Sequence, residues 1–257
     1  MPEPSEKIWR YLDLAKFISL LSSDSLYFAC PIEFTDPYEG IYPRSHAQAF
    51  SSIAQQWLEQ MRATRDELIV RYSGIDINGL DGAISFAKER FKKEFDEVRL
   101  KFGISCWHKN EFESEAMWKI YSASGHGIAI ESTVGQLRES IADNESLVAD
   151  DVRYLDFEND PIDKGHQHYG LFLKRKSFEH ERELRATLLL KTPGKGMLAS
   201  CDLDTLITKI HVSPFAPSYF KEVVDTVCSG GTRSLGKLVL QSRLFDKPGE
   251  DYSLTTE

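Results

Sequence analysis

The sequence predicts an α+β protein, and three observations support this. Short strand patterns and helix patterns follow one another irregularly, without the strict alternation of a parallel α/β fold. No G-x-G-x-x-G or Walker-type loop is present, which disfavours Rossmann and P-loop architectures. The 257 residues are 41% hydrophobic and 11% aromatic, enough to build a substantial core. We therefore expect a single domain over residues 1–257, with roughly eight short strands.

The first predicted elements are a strand and a helix. Alternation over residues 8–11 predicts the strand, because successive side chains of a strand point to opposite faces. Trp9 and Tyr11 then share one face, and Arg10 lies on the other. Asp13 follows as a helix N-cap. This pattern places a cation and two aromatic side chains on the first strand.

A second strand is predicted at residues 25–29, and residues 30–40 are predicted to form an ordered turn because they contain two prolines and a glycine. Residues 45–102 have the strongest helical periodicity, with charged residues between the apolar positions. Because strand patterns resume afterwards, we interpret residues 45–102 as a helical insertion or lid within the domain. The apolar positions are Ile53, Trp57, Met61, Leu68, Ile84, Phe91, Phe95 and Val98.

The rest of the chain alternates short apolar runs with amphipathic segments. Strands are predicted at residues 103–108, 127–131, 152–154, 184–190, 208–213 and 237–243. Helices are predicted at residues 113–122, 166–176 and 218–228. The polar segment after Pro248 is predicted to be frayed.

Charge and cysteine content exclude several classes of protein. The formal net charge of −9 argues against wrapping duplex DNA, which needs a broad basic face. The four cysteines show no C-x-x-C spacing, so neither a zinc site nor a disulfide framework is expected. No apolar run approaches the length of a membrane span or resembles the core of a signal peptide. We expect a cytoplasmic protein that contacts no membrane.

The most informative stretch is the charged segment before the apolar run 184–190. In an extended chain, Glu179, Glu181, Glu183 and Arg185 would share a face. Burying a carboxylate at the start of a strand is costly unless a partner or a ligand compensates its charge. This makes the stretch a site candidate; the alternative is a solvated loop leading into an edge strand.

Four motifs together resemble a bacterial family known as domain of unknown function 2971. The motifs are Trp9–Tyr11, Phe34–Glu39, Met117–Tyr121 and Glu181–Arg185. They match an aromatic-Arg-Tyr segment, a Phe-Asn-Asp-Pro-x-Glu turn, Met-Trp-x-x-Tyr and Glu-x-Glu-x-Arg. Thr35 stands where the family has Asn, although Asp36 is able to cap the same turn. The resemblance covers residues 8–190 and implies no activity.

The order of elements is also similar to that of ADP-ribosyltransferases, especially the toxin-like branch that modifies nucleic acid. This resemblance implies mixed or antiparallel sheets and NAD as substrate. It also implies a cation on the first strand, a polar or aromatic residue on a middle strand and a catalytic glutamate that begins a later strand. In this sequence those places are taken by Arg10, by Tyr121 or Ser105, and by Glu183, with residues 178–182 as the substrate-recognition loop.

The residue types suit that reaction. Cleavage of the nicotinamide–ribose bond develops positive charge on the ribose, as in glycoside hydrolysis, and a carboxylate such as Glu183 stabilises it. Arg10 is expected to pair with the pyrophosphate, and Tyr121 or Trp118 to stack on the nicotinamide. Glu181 is expected to orient or deprotonate the acceptor.

Further residues are assigned to binding on the same resemblance. Tyr11 and Ser105 are expected to contact the cofactor. The basic cluster 174–176 lies just before the loop that would meet the acceptor, so nucleic acid is preferred to protein as acceptor. The expected acceptor-binding residues are Lys174, Lys176, Phe178, His180 and Arg185.

Each assignment has a structural alternative. In these alternatives Arg10 pairs with Glu39 or Glu183, Trp118 and Met117 belong to the core, Asp36 and Glu39 fix a turn, and Arg185 neutralises Glu183. His180, beside the carboxylates, is a spare general base.

Three functions remain open from the sequence. The first is an NAD-dependent ADP-ribosyltransferase acting as a toxin or anti-phage defence effector, with an antitoxin or other neutralising partner. The second is a metal-dependent nuclease or hydrolase using Asp36, Glu39, Glu181 and Glu183, although their spacing does not demand magnesium. The third is a non-catalytic module that binds a basic partner.

Overall fold

A computed structural model describes residues 1–71, 82, 85–86, 89, 93, 97–122, 125–142, 146–160, 170–230 and 235–247. The strands are β1 (Lys7–Asp13), β2 (Ser25–Phe28), β3 (Phe102–Lys109), β4 (Gly127–Thr133), β5 (Val148–Asp151), β6 (Arg153–Leu155), β7 (Leu173–Arg175), β8 (Glu183–Leu189), β9 (Met197–Ser200), β10 (Lys209–Val212) and β11 (Val239–Gln241). The α-helices are α1 (Leu14–Ser23), α2 (Arg44–Arg71), α3 (Glu115–Tyr121), α4 (Val134–Ser140), α5 (Leu203–Leu206) and α6 (Phe220–Ser229). Short 3-10 helices lie at Pro31–Glu33, Gly170–Phe172, Lys176–Glu181 and Leu235–Leu238.

Seven strands form the main sheet, in the order β11-β10-β4-β1-β3-β8-β5. Its neighbours are antiparallel except β10 and β11, which are parallel. The pairs β2-β9 and β6-β7 form two small sheets. The predicted α+β class is therefore confirmed, and the large sheet is mostly antiparallel.

The main sheet separates into two halves between β1 and β3. These two strands pair only at Ile8↔Lys109 and Trp9↔His108. Beyond Trp9, β1 continues to pair with β4, and β3 continues to pair with β8. The two strands therefore diverge and leave an opening in the middle of the sheet.

One face of the sheet carries the main core. Helices α1, α4, α5 and α6 pack on this face together with β2, because each presents an apolar stripe to it. The largest contributions come from buried side chains that include Phe17, Leu26, Phe28, Trp107, Leu137, Leu184, Leu203 and Phe220. The second face carries a smaller cluster, formed by Trp9, Tyr11, Ala129, Met117 and Trp118, under α3.

The predicted helix starts follow from capping side chains. Asp13 Oδ1 accepts a hydrogen bond from the Lys16 backbone N at 2.8 Å and caps α1, as predicted. Ser114 Oγ caps α3 in the same way, accepting from the Met117 N at 3.4 Å. In the turn that follows β8, Gly194 has φ of 80°, in the left-handed region that favours glycine.

Several expectations from the sequence are wrong in detail. The charged stretch before β8 is not extended, since Lys176–Glu181 is a 3-10 helix and Arg182 takes a left-handed φ of 40°. Of the predicted helix 166–176, the described part is a 3-10 turn followed by β7. The sequence analysis also missed α4 and β9. Residues 166–169 and the segment after Pro248 lie outside the described residues.

The predicted helical insertion begins with α2, as expected. Trp57 and Met61, predicted to face a core, are 39% and 36% exposed. Ile84, Phe91 and Phe95 lie outside the described residues, so the interpretation of residues 45–102 as a lid stays a prediction. Among the residues that the structure describes, no helix has the length and apolar character needed to cross a membrane.

We predict that Gly103→Ala destabilises the protein by about 1–3 kcal/mol, because a Cβ at this position overpacks the junction between β3 and β2. Such a Cβ would lie 2.7 Å from Leu190 Cδ2 and 2.9 Å from Phe28 Cβ. The measurement is urea unfolding. The matched control is Gly82→Ala, where a Cβ meets no described atom within 4 Å. Equal stability of the two variants would contradict the close approach of β2 to β3.

Candidate site at the opening between strands β1 and β3

A cavity of about 740 Å³ lies where β1 and β3 separate. This volume is within the usual range for small-molecule sites. Side chains of β1, β2, β3, α3, the turn after Pro31–Glu33 and the segment 174–183 line it. Arg10, Tyr121 and Glu183, which the sequence analysis assigned to one site from three separate elements, all border this cavity.

Arg10 extends from β1 into the opening. Its guanidinium donates hydrogen bonds to Ser105 Oγ, to the Cys106 carbonyl at 3.4 Å and to the Tyr27 carbonyl at 3.4 Å. It also lies over the Trp107 ring, 5.6 Å from the centroid. Burial lowers the pKa of Arg10. No carboxylate among the described residues pairs with it, so the structural alternative of a bridge to Glu39 or Glu183 is not observed.

Glu183 belongs to a buried ionic network at the opposite wall. Its carboxylate accepts from Arg185 Nε at 2.9 Å and lies 3.2 Å from Lys174 Nζ. Arg185 also contacts Glu39, with Nη2 2.8 Å from Oε2, and donates to the Leu171 carbonyl. Lys174 Nζ lies 2.5 Å from Glu181 and 3.5 Å from Glu39. Three carboxylates thus face two cations.

The network fixes the protonation states of its members. Burial alone would raise the pKa of Glu183, but Arg185 and Lys174 hold it at about 2, so the carboxylate is ionised at neutral pH. Burial opposes the charge of Lys174, yet the surrounding carboxylates, Glu183 first, raise its pKa. Burial raises the pKa of Glu39 above its ordinary value, although Arg185 and Lys174 act in the opposite direction.

A local turn positions Glu39 in the ionic network. Asp36 Oδ1 accepts from the Tyr38 N at 3.0 Å, which is an Asx-type turn with Asp36 as its cap. Gly40 ends the turn with φ of 71°, a left-handed conformation that favours glycine. Arg175 holds the same Asp36 at 2.8 Å and lies over the Tyr38 ring. The motif Phe34–Glu39 therefore fixes a turn and also supplies a wall of the cavity.

Two tyrosines form the aromatic side of the cavity. Tyr11 and Tyr121 are stacked, with ring centroids 6.4 Å apart and an interplanar angle of 22°. The Tyr11 hydroxyl accepts from the Ser114 N at 2.8 Å, which fixes its ring. Tyr121 is 42% exposed and so remains accessible to a ligand. Burial raises the pKa of both hydroxyls, so they are neutral at physiological pH.

The structure brings most of the predicted site residues together. Those that line the cavity are Arg10, Tyr11, Tyr121, Lys174, Phe178, Glu181 and Glu183. Ser105 is fully buried behind the wall and instead orients Arg10. Arg185 is also fully buried and acts on Glu183, not on an acceptor.

Three predicted binding residues are placed elsewhere. Trp118 is fully buried in the cluster under α3, where its Nε1 donates to Glu113 at 2.8 Å, so the expectation that it stacks on a ligand is wrong. Lys176 and His180 are exposed on the 3-10 helix Lys176–Glu181, outside the cavity lining.

The basic cluster 174–176 does not form a free cationic surface. Lys174 is buried among carboxylates and Arg175 is paired with Asp36, which leaves Lys176 exposed. Spacing along the chain could not reveal this. Asp36, which pairs with Arg175, and Glu39, which contacts Lys174, lie more than a hundred residues earlier in the sequence. The cluster therefore does not favour nucleic acid over protein as the acceptor.

The sequence analysis missed two contributors to the cavity. His108 ends β3 and borders the cavity, but no spacing rule separates it from an ordinary strand histidine. Tyr27 and Glu33 form a second polar wall, in which the Tyr27 hydroxyl donates to Glu33 at 2.7 Å. The sequence predicted a strand at residues 25–29, but not that Tyr27 meets a cavity.

No protein-family model, curated protein or solved structure matches this chain. The resemblance to domain of unknown function 2971 therefore stays a prediction that rests on the four motifs. Within the described ranges, no group of three or more His, Cys, Asp or Glu side chains is arranged to hold a metal ion.

We predict that Arg185→Met destabilises the protein by about 3–5 kcal/mol, because it leaves the buried carboxylates of Glu39, Glu181 and Glu183 with Lys174 as the one remaining cation of the network. The measurement is the free energy of unfolding in urea. The control is Arg243→Met, which removes a guanidinium that pairs with Asp246 at 2.7 Å on an exposed surface. We expect no measurable change from the control, since exposed ion pairs contribute little. Similar losses in both variants would contradict the structural role of the network.

Proposed function

We propose that this protein cleaves the nicotinamide–ribose bond of NAD and transfers ADP-ribose to a macromolecule, in the manner of an ADP-ribosyltransferase. The observation that carries the proposal is the convergence of Arg10, Tyr121 and Glu183 on one cavity. They come from β1, the end of α3 and the start of β8. The opening between two halves of a mostly antiparallel sheet is consistent with an ADP-ribosyltransferase-like fold.

The charges of the cavity suit a nucleotide whose reacting ribose becomes cationic. Five carboxylates and three cations line it. The carboxylate of Glu183 is ionised at neutral pH, which favours a developing oxocarbenium ion over a neutral sugar. Because Glu183 begins a strand that is paired on both sides, its position is rigid.

In this proposal Arg10 binds the phosphate end of the same ligand. Its guanidinium is partly desolvated and pairs with no carboxylate in the described part of the chain. A pyrophosphate would supply the missing anion through a charge-assisted contact. Lys16 adds a second cation at the cavity wall. Tyr121 and Tyr11 offer a ring face for the nicotinamide.

The acceptor is a macromolecule outside the cavity. Nucleic acid was favoured by the basic cluster 174–176, but two of its three cations are paired with acids. The proposal therefore includes protein and nucleic acid as acceptor classes. A role as toxin or phage-defence effector, restrained by a neutralising partner, belongs to the same proposal.

A metal-dependent nuclease is supported less well. Glu39, Glu181 and Glu183 each lie within 3.5 Å of Lys174 Nζ, so a cation already occupies the position between them. A metal ion there would have to displace a lysine with a raised pKa.

We predict that the protein releases nicotinamide from NAD and that Glu183→Gln lowers this rate by roughly 100-fold or more, because the charge on the transition state loses its counter-charge. Arg10→Gln should instead raise KM by about 10-fold or more, since a charge-assisted phosphate contact is lost. Glu179→Gln, on the exposed side of the 3-10 helix Lys176–Glu181, is the control and should behave as wild type.

The assay uses NAD labelled in the adenylate half together with cell lysate, and it follows free nicotinamide and label on protein or nucleic acid. Circular dichroism checks that each variant is folded. Absence of nicotinamide release from the wild-type protein would overturn the proposal, as would an unchanged rate in folded Glu183→Gln.

A further inference from the structure

His108 is a buried histidine at the wall of the cavity. It lies at the end of β3, across from Trp9 on β1 and from Glu183 on β8. The residue is 3% exposed and borders the cavity. Directly opposite residues on antiparallel strands have neighbouring side chains on one face. His108 is therefore next to the carboxylate that we place at the reacting ribose.

One hydrogen bond defines the tautomer of His108. Its Nδ1 lies 2.6 Å from the carbonyl oxygen of Glu181. A carbonyl only accepts hydrogen bonds, so Nδ1 carries the proton, and the neutral ring has its lone pair on Nε2. Nε2 is buried and has no hydrogen-bond partner among the described residues. A buried basic nitrogen without a partner is rare in folded proteins, and a catalytic role is one explanation for such a group.

The groups around His108 keep it neutral. Burial lowers its pKa most strongly, the Glu181 carbonyl acts in the opposite direction, the Arg182 guanidinium lowers the pKa further, and the Glu181 carboxylate raises it. From the other packed elements, the Tyr11 ring lies edge-on with its centroid at 6.2 Å, and Glu183 lies across the strand pair. The Glu183 carboxylate is paired with Lys174 and Arg185. The free base is thus available at neutral pH.

Glu181, which the sequence suggested as the general base, is unsuited to that role. Its carboxylate lies 2.5 Å from the Lys174 ammonium, and this ion pair occupies the oxygen that a base would use. The contribution of this residue to the site is its backbone carbonyl. The 3-10 helix Lys176–Glu181 and the left-handed Arg182 aim that carbonyl at His108.

We propose that His108 is the general base that deprotonates the attacking hydroxyl group in the cavity. This rests on the proposed function. The oxygen of the acceptor, or of water, bonds to the anomeric carbon of the ribose as the bond to nicotinamide breaks. Nicotinamide leaves with the electron pair of that bond. The proton of the hydroxyl group moves to Nε2 of His108, and the imidazolium then returns it to solvent.

The test is His108→Asn, because an asparagine amide retains a donor for the Glu181 carbonyl but lacks the basic nitrogen. We expect the turnover rate at pH 7 to fall by about 100-fold or more, with the dissociation constant for NAD changed by less than about 2-fold. His126→Asn is the matched control, since His126 lies just before β4 and outside the cavity lining.

The pH profile separates a base from a structural residue. A general base must be neutral to act, so wild-type turnover should fall as pH decreases through the pKa of His108, which lies below the ordinary value of 6.5. This acidic limb should be absent from His108→Asn, and added imidazole should restore part of its turnover.

The outcomes distinguish this inference from the proposed function. Loss of turnover and of the acidic limb with retained NAD binding supports it. If the wild-type protein releases nicotinamide and folded His108→Asn keeps the same turnover and acidic limb, His108 is not the base and the proposed function stands. If the wild-type protein releases no nicotinamide, both proposals are overturned.

Discussion

The guanidinium of Arg185 is fully buried, and this constrains everything around the cavity. A charge removed from water requires ionic and hydrogen-bonding partners, and Arg185 finds them in Glu183, Glu39 and the Leu171 carbonyl. Those partners belong to β8, to the turn 34–40 and to a 3-10 helix. Satisfying one cation therefore brings three separate segments to the same edge of the opening in the sheet.

The opening itself comes from the divergence of β1 and β3. Each strand keeps its hydrogen bonds with its other neighbour, so both strands stay in the sheet while their facing edges separate. Arg10 and the β2 carbonyl of Tyr27 meet in the gap. The result is a cavity with a cation on one wall and an acid-rich network on the other. Such a cavity suits the proposed ligand, which has an anionic pyrophosphate and a ribose that becomes cationic as it reacts.

The sequence predicted the elements better than it predicted their partners. Alternation located β1, an apolar run located β8, and a capping aspartate located α1, because these are local effects. The charged residues 179–185 were considered in an extended form, and residues 174–176 were interpreted as a basic cluster that would meet the acceptor. Instead, Glu39 and Asp36, more than a hundred residues away in the chain, engage Lys174 and Arg175. His108 was overlooked because its tautomer depends on a carbonyl from another segment. Ion pairs and hydrogen bonds between distant segments leave no periodic pattern in the sequence.

The central claim is that a dinucleotide binds in the opening between β1 and β3. A crystal structure of the protein soaked with NAD tests it most directly. The account predicts the pyrophosphate at the Arg10 guanidinium and the nicotinamide ribose beside Glu183 and His108. Density for the dinucleotide at any other surface, or a cavity that stays free of nucleotide at a saturating concentration, would contradict it.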